Sequence, residues 1–150
     1  MAYSYFAVFD GHGGKQAAQM CRAALEEKMV DALGIIAKEE GVEDGQLEEA
    51  FQQLIPRALV RGCEAVDREY CGTHKHAGTT ATVCLLHKQG DGVLLTTANV
   101  GDSHAFVDTH SQVIMVSVDH RLDTSREERE RVKSLGGTVA QSAVGESNKG

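Results

Sequence analysis

Four strand-like segments follow one another within residues 79–118, and the stretches joining them are short. Residues 79–87 and 93–99 are separated by Gln89-Gly90-Asp91-Gly92, a turn sequence. Residues 104–108 and 112–118 are separated by Thr109-His110-Ser111. A parallel pair needs a crossover of about a dozen residues or more, usually a helix. These strands must therefore be antiparallel neighbours, which rules out the βαβ order of a doubly wound sheet.

The rest of the chain supplies helices and one further strand. Residues 4–9 are apolar and aromatic and stop at Asp10-Gly11, as a buried strand ending in a turn would. Gly11, Gly13 and Gly14 then permit tight backbone geometry. Residues 15–33 repeat apolar side chains every three or four positions, among them Ala17, Cys21, Leu25 and Leu33, and predict a helix. Residues 38–45 are charged and read as a loop. A second helix is predicted over residues 46–70, with Leu47, Phe51, Leu54, Ile55, Leu59, Cys63 and Val66 on one side. Pro56, the only proline, is expected to kink or interrupt it. Residues 71–78 read as a polar connection. Ser125 is a helix N-cap with Glu128 three residues on, as in a capping box, and Glu127 and Arg131 are spaced for an i,i+4 pair. Gly136-Gly137 ends that helix, residues 138–140 open another strand, and residues 141–150 form a frayed, disordered tail. No repeat or linker divides the chain, so residues 1–140 are expected to be one domain.

Composition narrows the function classes. Hydrophobic residues make up 41% of the 150, enough for a core, and no run approaches the roughly 18 of a membrane span. No N-terminal segment reads as a signal peptide. A net charge of −7 argues against nucleic-acid binding, which needs a basic surface. Cys21, Cys63, Cys71 and Cys84 form no C-x-x-C pair and read as reduced thiols of an intracellular protein, cytoplasmic or nuclear. A zinc site from Cys71, His74 and His76 is an alternative with irregular spacing.

The chemistry concentrates in Asp10-Gly11-His12-Gly13-Gly14. A carboxylate at the end of a buried strand is held rigidly, and its two oxygens can each take a hard cation such as Mg²⁺ or Mn²⁺. The Gly11 carbonyl can reach a metal as well. A pair of such ions can bind phosphate and lower the pKa of a bridging water. His12, in the same turn, can protonate a leaving alkoxide. Taken alone, the segment also reads as a glycine-rich turn with a capping aspartate.

Further motifs follow in order: Gly78-Thr79-Thr80-Ala81, then Asn99-Val100-Gly101-Asp102-Ser103, then Asp119-His120, then Gly136-Gly137. Over residues 4–140 this series resembles the PPM-type (type 2C) metal-dependent serine/threonine protein phosphatases, specifically the N-terminal half of their catalytic domain. The resemblance implies an α+β fold, a partial α-β-β-α sandwich of antiparallel sheets flanked by helices. It implies that Asp10 bridges two metal ions, that the Gly11 carbonyl completes a coordination shell, and that His12 is the general acid. It implies Asp102 near a third metal position, although Asp102 also reads as an ordinary turn residue. Gly78-Thr79-Thr80 and Asp119-His120 would be structural. His104 stands where the family usually has arginine, and reads as a surface histidine rather than a ligand.

The implied activity is hydrolysis of phosphoserine or phosphothreonine in proteins by a metal-activated water, with Mg²⁺ or Mn²⁺ as cofactor. Phosphoprotein substrates, a monomer, and no membrane or nucleic-acid partner go with it. No residue before Tyr3 supplies the family's phosphate-gripping arginine, and its Asp-Gly and Asp-Asn metal motifs do not occur in residues 141–150. An incomplete sandwich with an exposed apolar face is expected, and the alternative function is a catalytically inactive fragment or pseudophosphatase acting as an interaction module.

Overall fold

The computed structural model describes residues 2–73 and 76–140. The chain divides into two units, Met1–Asp119 and His120–Gly150.

In the first unit, strand β1 (Tyr3–Val8) alternates half-buried and exposed residues along its whole length. It is followed by the short strand β2 (Gly11–His12) and helices α1 (Gln16–Glu39) and α2 (Leu47–Thr73). Strands β3 (Gly78–Thr79), β4 (Ala81–Gln89), β5 (Gly92–Val100), β6 (Phe106–Asp108) and β7 (Val113–Met115) complete it. β4 lies between β1 and β5, antiparallel to both. β2 pairs with β3, and β6 with β7, again antiparallel. The antiparallel pairs β4–β5 and β6–β7 form as the short turns require, whereas β5 and β6, also joined by a short stretch, lie in separate sheets; the class is α+β.

The core lies between the two helices and one face of this sheet. Val83 and Leu85 of β4 are fully buried there with Leu25, Met29 and Ile36 of α1 and Phe51, Leu54, Ile55 and Leu59 of α2. Tyr3, Tyr5 and Ala7 of β1 and Ala98 of β5 pack against them. His87 is buried at the end of this face, its ring edge-on to Phe51 with centroids 4.6 Å apart. The helices run antiparallel, as the pairs Lys28–Glu69, Arg61–Glu39 and Arg57–Glu40 show. They cross closely at Gly62, where a Cβ would stand 3.0 Å from the Met29 backbone nitrogen.

Both helices outrun their predicted ends. α1 passes through Gly34, which faces solvent, because Ile36 and Ala37 continue beyond it the buried stripe of Ala32 and Leu33. It stops at Gly41, which has φ +69° and closes a Schellman turn: Gly41 N–H bonds the Lys38 carbonyl and Val42 N–H that of Ala37. The charged segment read as a loop is thus partly helix. α2 runs through Pro56, which does not interrupt it. Pro56 lies on the exposed side, and so does Gln52, whose carbonyl loses its partner. A mid-helix proline costs ~3 kcal/mol, whereas burying Ile55, Leu54 and Leu59 contributes about 1.5–3 kcal/mol each. α2 also absorbs Cys71, which was expected in a polar connection.

The opposite sheet face is partly crossed by residues 116–118. Thr97 Oγ1 donates to the Val116 carbonyl at 2.7 Å, and Asn99 Nδ2 to the Val118 carbonyl at 2.7 Å. Those carbonyls are engaged by side chains rather than by a strand, so β7 ends at Met115 instead of residue 118. Elsewhere this face is open: Phe6 is 58% exposed and Val8 63%.

In the second unit, helix α3 (Arg126–Ser134) has Ser125 as its N-cap, the side chain accepting from Glu128 N–H at 3.1 Å. The reciprocal half of the capping box does not form. Ser125 N–H is taken by the Arg121 carbonyl, and the Glu128 carboxylate instead binds Arg131 through Nε and Nη2. Arg131 therefore pairs three residues back with Glu128, not four back with Glu127, and its guanidinium holds the Glu128 carboxyl below the usual carboxylate range. Gly136, at φ +84°, ends α3 in a second Schellman turn. Residues 138–140 form no strand. The tail expected over residues 141–150 lies outside the described residues.

Candidate active site

Asp10 sits between two ladders. β1 pairs with β4 as far as Val8 opposite Thr82, and β2 resumes with β3 at Gly11 opposite Thr79. The gap is closed by Thr80. Its N–H donates to the Asp10 carbonyl at 2.9 Å, and its Oγ1 accepts from Asp10 N–H at 3.2 Å. The Asp10 backbone is thereby fixed at both polar groups while its carboxylate is exposed.

The turn beyond Asp10 is tightly packed. Gly13 has φ +68°, and a Cβ there would stand 2.4 Å from the His76 carbonyl oxygen. The exposed His12 lies over Gly78, where a Cβ would stand 2.5 Å from His12 Nε2 and 2.8 Å from Cε1. Gly78 thus makes the room that the imidazole occupies.

The Gly101-Asp102-Ser103 turn approaches the same place. Gly101 has φ +97°, and a Cβ there would come within 2.8 Å of Thr80 Cγ2. Ser103 Oγ is 2.7 Å from Thr80 Oγ1. Asn99 holds the turn from the other side: its Nδ2 donates to the Gly101 carbonyl at 3.0 Å and to that of Val118, and its Oδ1 accepts from Thr82 Oγ1. Asp102 is exposed. Motif reading takes Thr80 as structural, gives Asn99 and Ser103 no role and does not single out Thr82. Alternation along β4 and β5 puts Thr82 and Asn99 on one sheet face, but nothing local marks Thr80 as the residue between the turns.

Asp10 and Asp102 offer hard oxygen donors of the kind Mg²⁺ and Mn²⁺ prefer. Among the described residues, however, no group of three or more His, Cys, Asp or Glu could hold a metal ion. The donor chemistry fits the family's ions, and the donor number does not complete a centre. Nor do the described residues gather a zinc site: Cys71 points back along α2 to Asp67 Oδ1 at 3.6 Å, and His74 lies outside them. His104 is exposed, edge-on to Phe106 at 6.2 Å.

A cavity of about 440 Å³ lies behind His12, lined among others by Cys21, Leu25, Cys63, Tyr70 and Gly78. Neither Asp10 nor Asp102 lines it, and its walls are mainly apolar, so it does not suit a phosphate. All four cysteines are free thiols. Burial pushes the Cys21, Cys63 and Cys84 thiols up, and the neighbouring Asp67 carboxylate does so for Cys71. None is poised as a thiolate nucleophile. No helix among the described residues is long and apolar enough to cross a membrane.

Comparison with known proteins shows the family. A family model described as protein phosphatase 2C matches residues 1–149. The chain is 39% identical over 144 residues to "Probable protein phosphatase 2C 15" of Arabidopsis thaliana, covering 95% of this chain and 30% of the relative. It is 40% identical over 141 residues to "Probable protein phosphatase 2C 33" of Oryza sativa subsp. japonica, covering 93% and 30%. It is 36% identical over 153 residues to "Protein phosphatase 1K, mitochondrial" of Xenopus laevis, covering 96% and 35%. The chain spans about a third of the length of these curated relatives. With nearly its whole length matched and its aspartate-bearing turns joined through Thr80, the chain belongs to the protein phosphatase 2C family.

Proposed function

We propose that this chain carries part of the catalytic centre of a metal-dependent protein serine/threonine phosphatase. The observation that supports it best is the joining of the Asp10 turn to the Asp102 turn through the Thr80 hydroxyl, which leaves both carboxylates exposed. Asp10 is proposed to bridge two ions, with the Gly11 carbonyl as a further donor and Asp102 near a third position. The Mg²⁺ or Mn²⁺ ions, when bound, supply a water acidic enough to attack phosphorus near neutral pH. His12 stands in the same turn as Asp10, and it is proposed to donate a proton from its imidazole to the departing serine or threonine oxygen. Gly78 keeps that imidazole close to the backbone of β3. The substrates proposed are phosphoserine and phosphothreonine in proteins, acted on by a monomer in the cytoplasm or nucleus.

The test is Mn²⁺-dependent release of phosphate from a phosphopeptide by the chain. Release well above that of Asp10→Ala supports the proposal, and release no greater than that control sinks it for this chain.

A second reading, a non-catalytic interaction module, is favoured by the lack of any group of three ligating side chains among the described residues. Calorimetry separates the two. Mn²⁺ binding far tighter than scattered surface carboxylates give counts against the non-catalytic module.

A further inference from the structure

We infer that Thr80 is a positioning residue whose hydroxyl couples the turn carrying Asp10 to the turn carrying Asp102. The inference rests on the proposed reading of those two turns as the metal-bearing ones.

Thr80 lies in the break between β3 and β4 and belongs to neither ladder. It is 8% exposed. Its backbone N–H and its Oγ1 engage the two backbone polar groups of Asp10, 70 residues away in sequence. The same Oγ1 meets Ser103 Oγ at 2.7 Å, beside Asp102. A hydroxyl offers one donor and two acceptor sites, so a single Oγ1 can serve both partners. The methyl branch packs on the other side of the same turn, where Gly101 must lack a Cβ to admit it.

Threonine meets both demands at once. Valine keeps the volume and the stiff, branched χ1 but loses the hydroxyl; serine keeps the hydroxyl and loses the methyl. In a buried setting the hydroxyl is the only polar atom of the side chain, so the Asp10–Thr80–Ser103 link transmits a shift of one turn to the other. A displacement of the Ser103 side chain alters the acceptor that Asp10 N–H uses, and with it the placement of the Asp10 carboxylate.

The pairing of valine and serine variants separates this role from packing. The readout is amide hydrogen exchange at Asp10, followed by NMR on the 150-residue chain without metal, with Met29 as a core reference. In Thr80→Val, Asp10 exchange is expected to rise about two- to tenfold, the effect of losing one ordinary hydrogen bond, while Met29 stays unchanged. Thr80→Ser is expected to restore slow exchange. Ser103→Ala is expected to alter the Asp10 amide in the wild-type and Thr80→Ser backgrounds and to leave it unaltered in Thr80→Val. If Thr80 only fills space, Thr80→Val behaves as wild type, and that result overturns the inference. A Ser103→Ala effect of equal size in all three backgrounds overturns it too.

A second arm measures Mn²⁺ affinity by calorimetry. Ser103→Ala is expected to weaken binding in the wild-type background and not in Thr80→Val; weakening of equal size in both overturns the inference. A wild-type chain that binds no Mn²⁺ removes the phosphatase reading of the site, and the exchange measurements then decide the coupling on their own.

Discussion

Gly78→Ala separates the position of His12 from the stability of the fold. The added Cβ would stand 2.5 Å from His12 Nε2 and 2.8 Å from Cε1. Ordinary non-bonded contact requires about 3.5–4.0 Å, so the ring must retreat by roughly 1 Å. The imidazole is the exposed end of a side chain and can swing outward. Forcing it off its rotamer costs ~0.5–1.5 kcal/mol. Against this, replacing glycine at an unstrained φ stabilises by about 0.4–1 kcal/mol through the unfolded chain. The net change in unfolding free energy should stay within about 1 kcal/mol. If His12 is the general acid proposed above, the effect on chemistry should be far larger, because such an acid contributes about 10²–10⁴-fold and acts only within hydrogen-bond reach. The assay combines urea denaturation, the His12 ring resonances, and Mn²⁺-dependent phosphate release. The expected result is a nearly unchanged midpoint, shifted His12 resonances, and release reduced toward that of His12→Ala. Loss of more than about 2 kcal/mol of stability would show that the ring is locked rather than free to yield. Undiminished release with displaced ring resonances would refute His12 as the acid.

Gly62→Ala tests the helix crossing: a Cβ 3.0–3.1 Å from the Met29 backbone must push α1 and α2 apart. Overpacking costs about 1–3 kcal/mol, more than the ~1 kcal/mol of helix propensity gained. Urea midpoints should fall for Gly62→Ala and rise for Gly34→Ala, which has open space around it, and a rise in both would contradict the crossing. Tyr5→Phe removes a hydroxyl that is buried with no hydrogen-bond partner among the described residues. It should raise stability at neutral pH by about 1 kcal/mol, and a loss of that size would reveal a bonded hydroxyl. Burial, aided by the Glu26 carboxylate, also pushes the Tyr5 pKa well above its usual 10.0. A raised folded-state pKa means stability fully present below pH 10 and lost as pH rises beyond it, toward the folded value. The advantage of Tyr5→Phe should therefore widen above pH 10 in alkaline unfolding, and a constant difference would show that Tyr5 does not titrate with unfolding.

The legible parts of this fold are those set by neighbours in sequence. The antiparallel order of β4 with β5 and of β6 with β7 follows from turns too short for a crossover. The Ser125 cap and the Gly136 stop follow from local backbone chemistry. The end of α1 lies beyond the predicted residue 33 because burial overrides propensity, Ile36 and Ala37 carrying the helix past Gly34, and the buried neighbours of Pro56 keep α2 helical there. The fate of Glu128 was also hidden, because its choice of Arg131 over the Ser125 backbone depended on the Arg121 carbonyl having already taken that N–H.

The candidate site divides in the same way. Asp10, His12 and Asp102 are named by short motifs, since a carboxylate or imidazole beside glycines in a tight turn is a local pattern. The sequence alone thus picked out the candidate site residues and determined that strand pairs would be antiparallel. Tertiary structure decided how the motifs meet. Thr80 reaches Asp10 across 70 residues and Ser103 across 23, Gly78 yields its Cβ space to His12, and Gly101 yields its own to the Thr80 methyl. Such contacts depend on the register of β4 against β1 and β5, and register is a property of the packed sheet, which no single strand specifies.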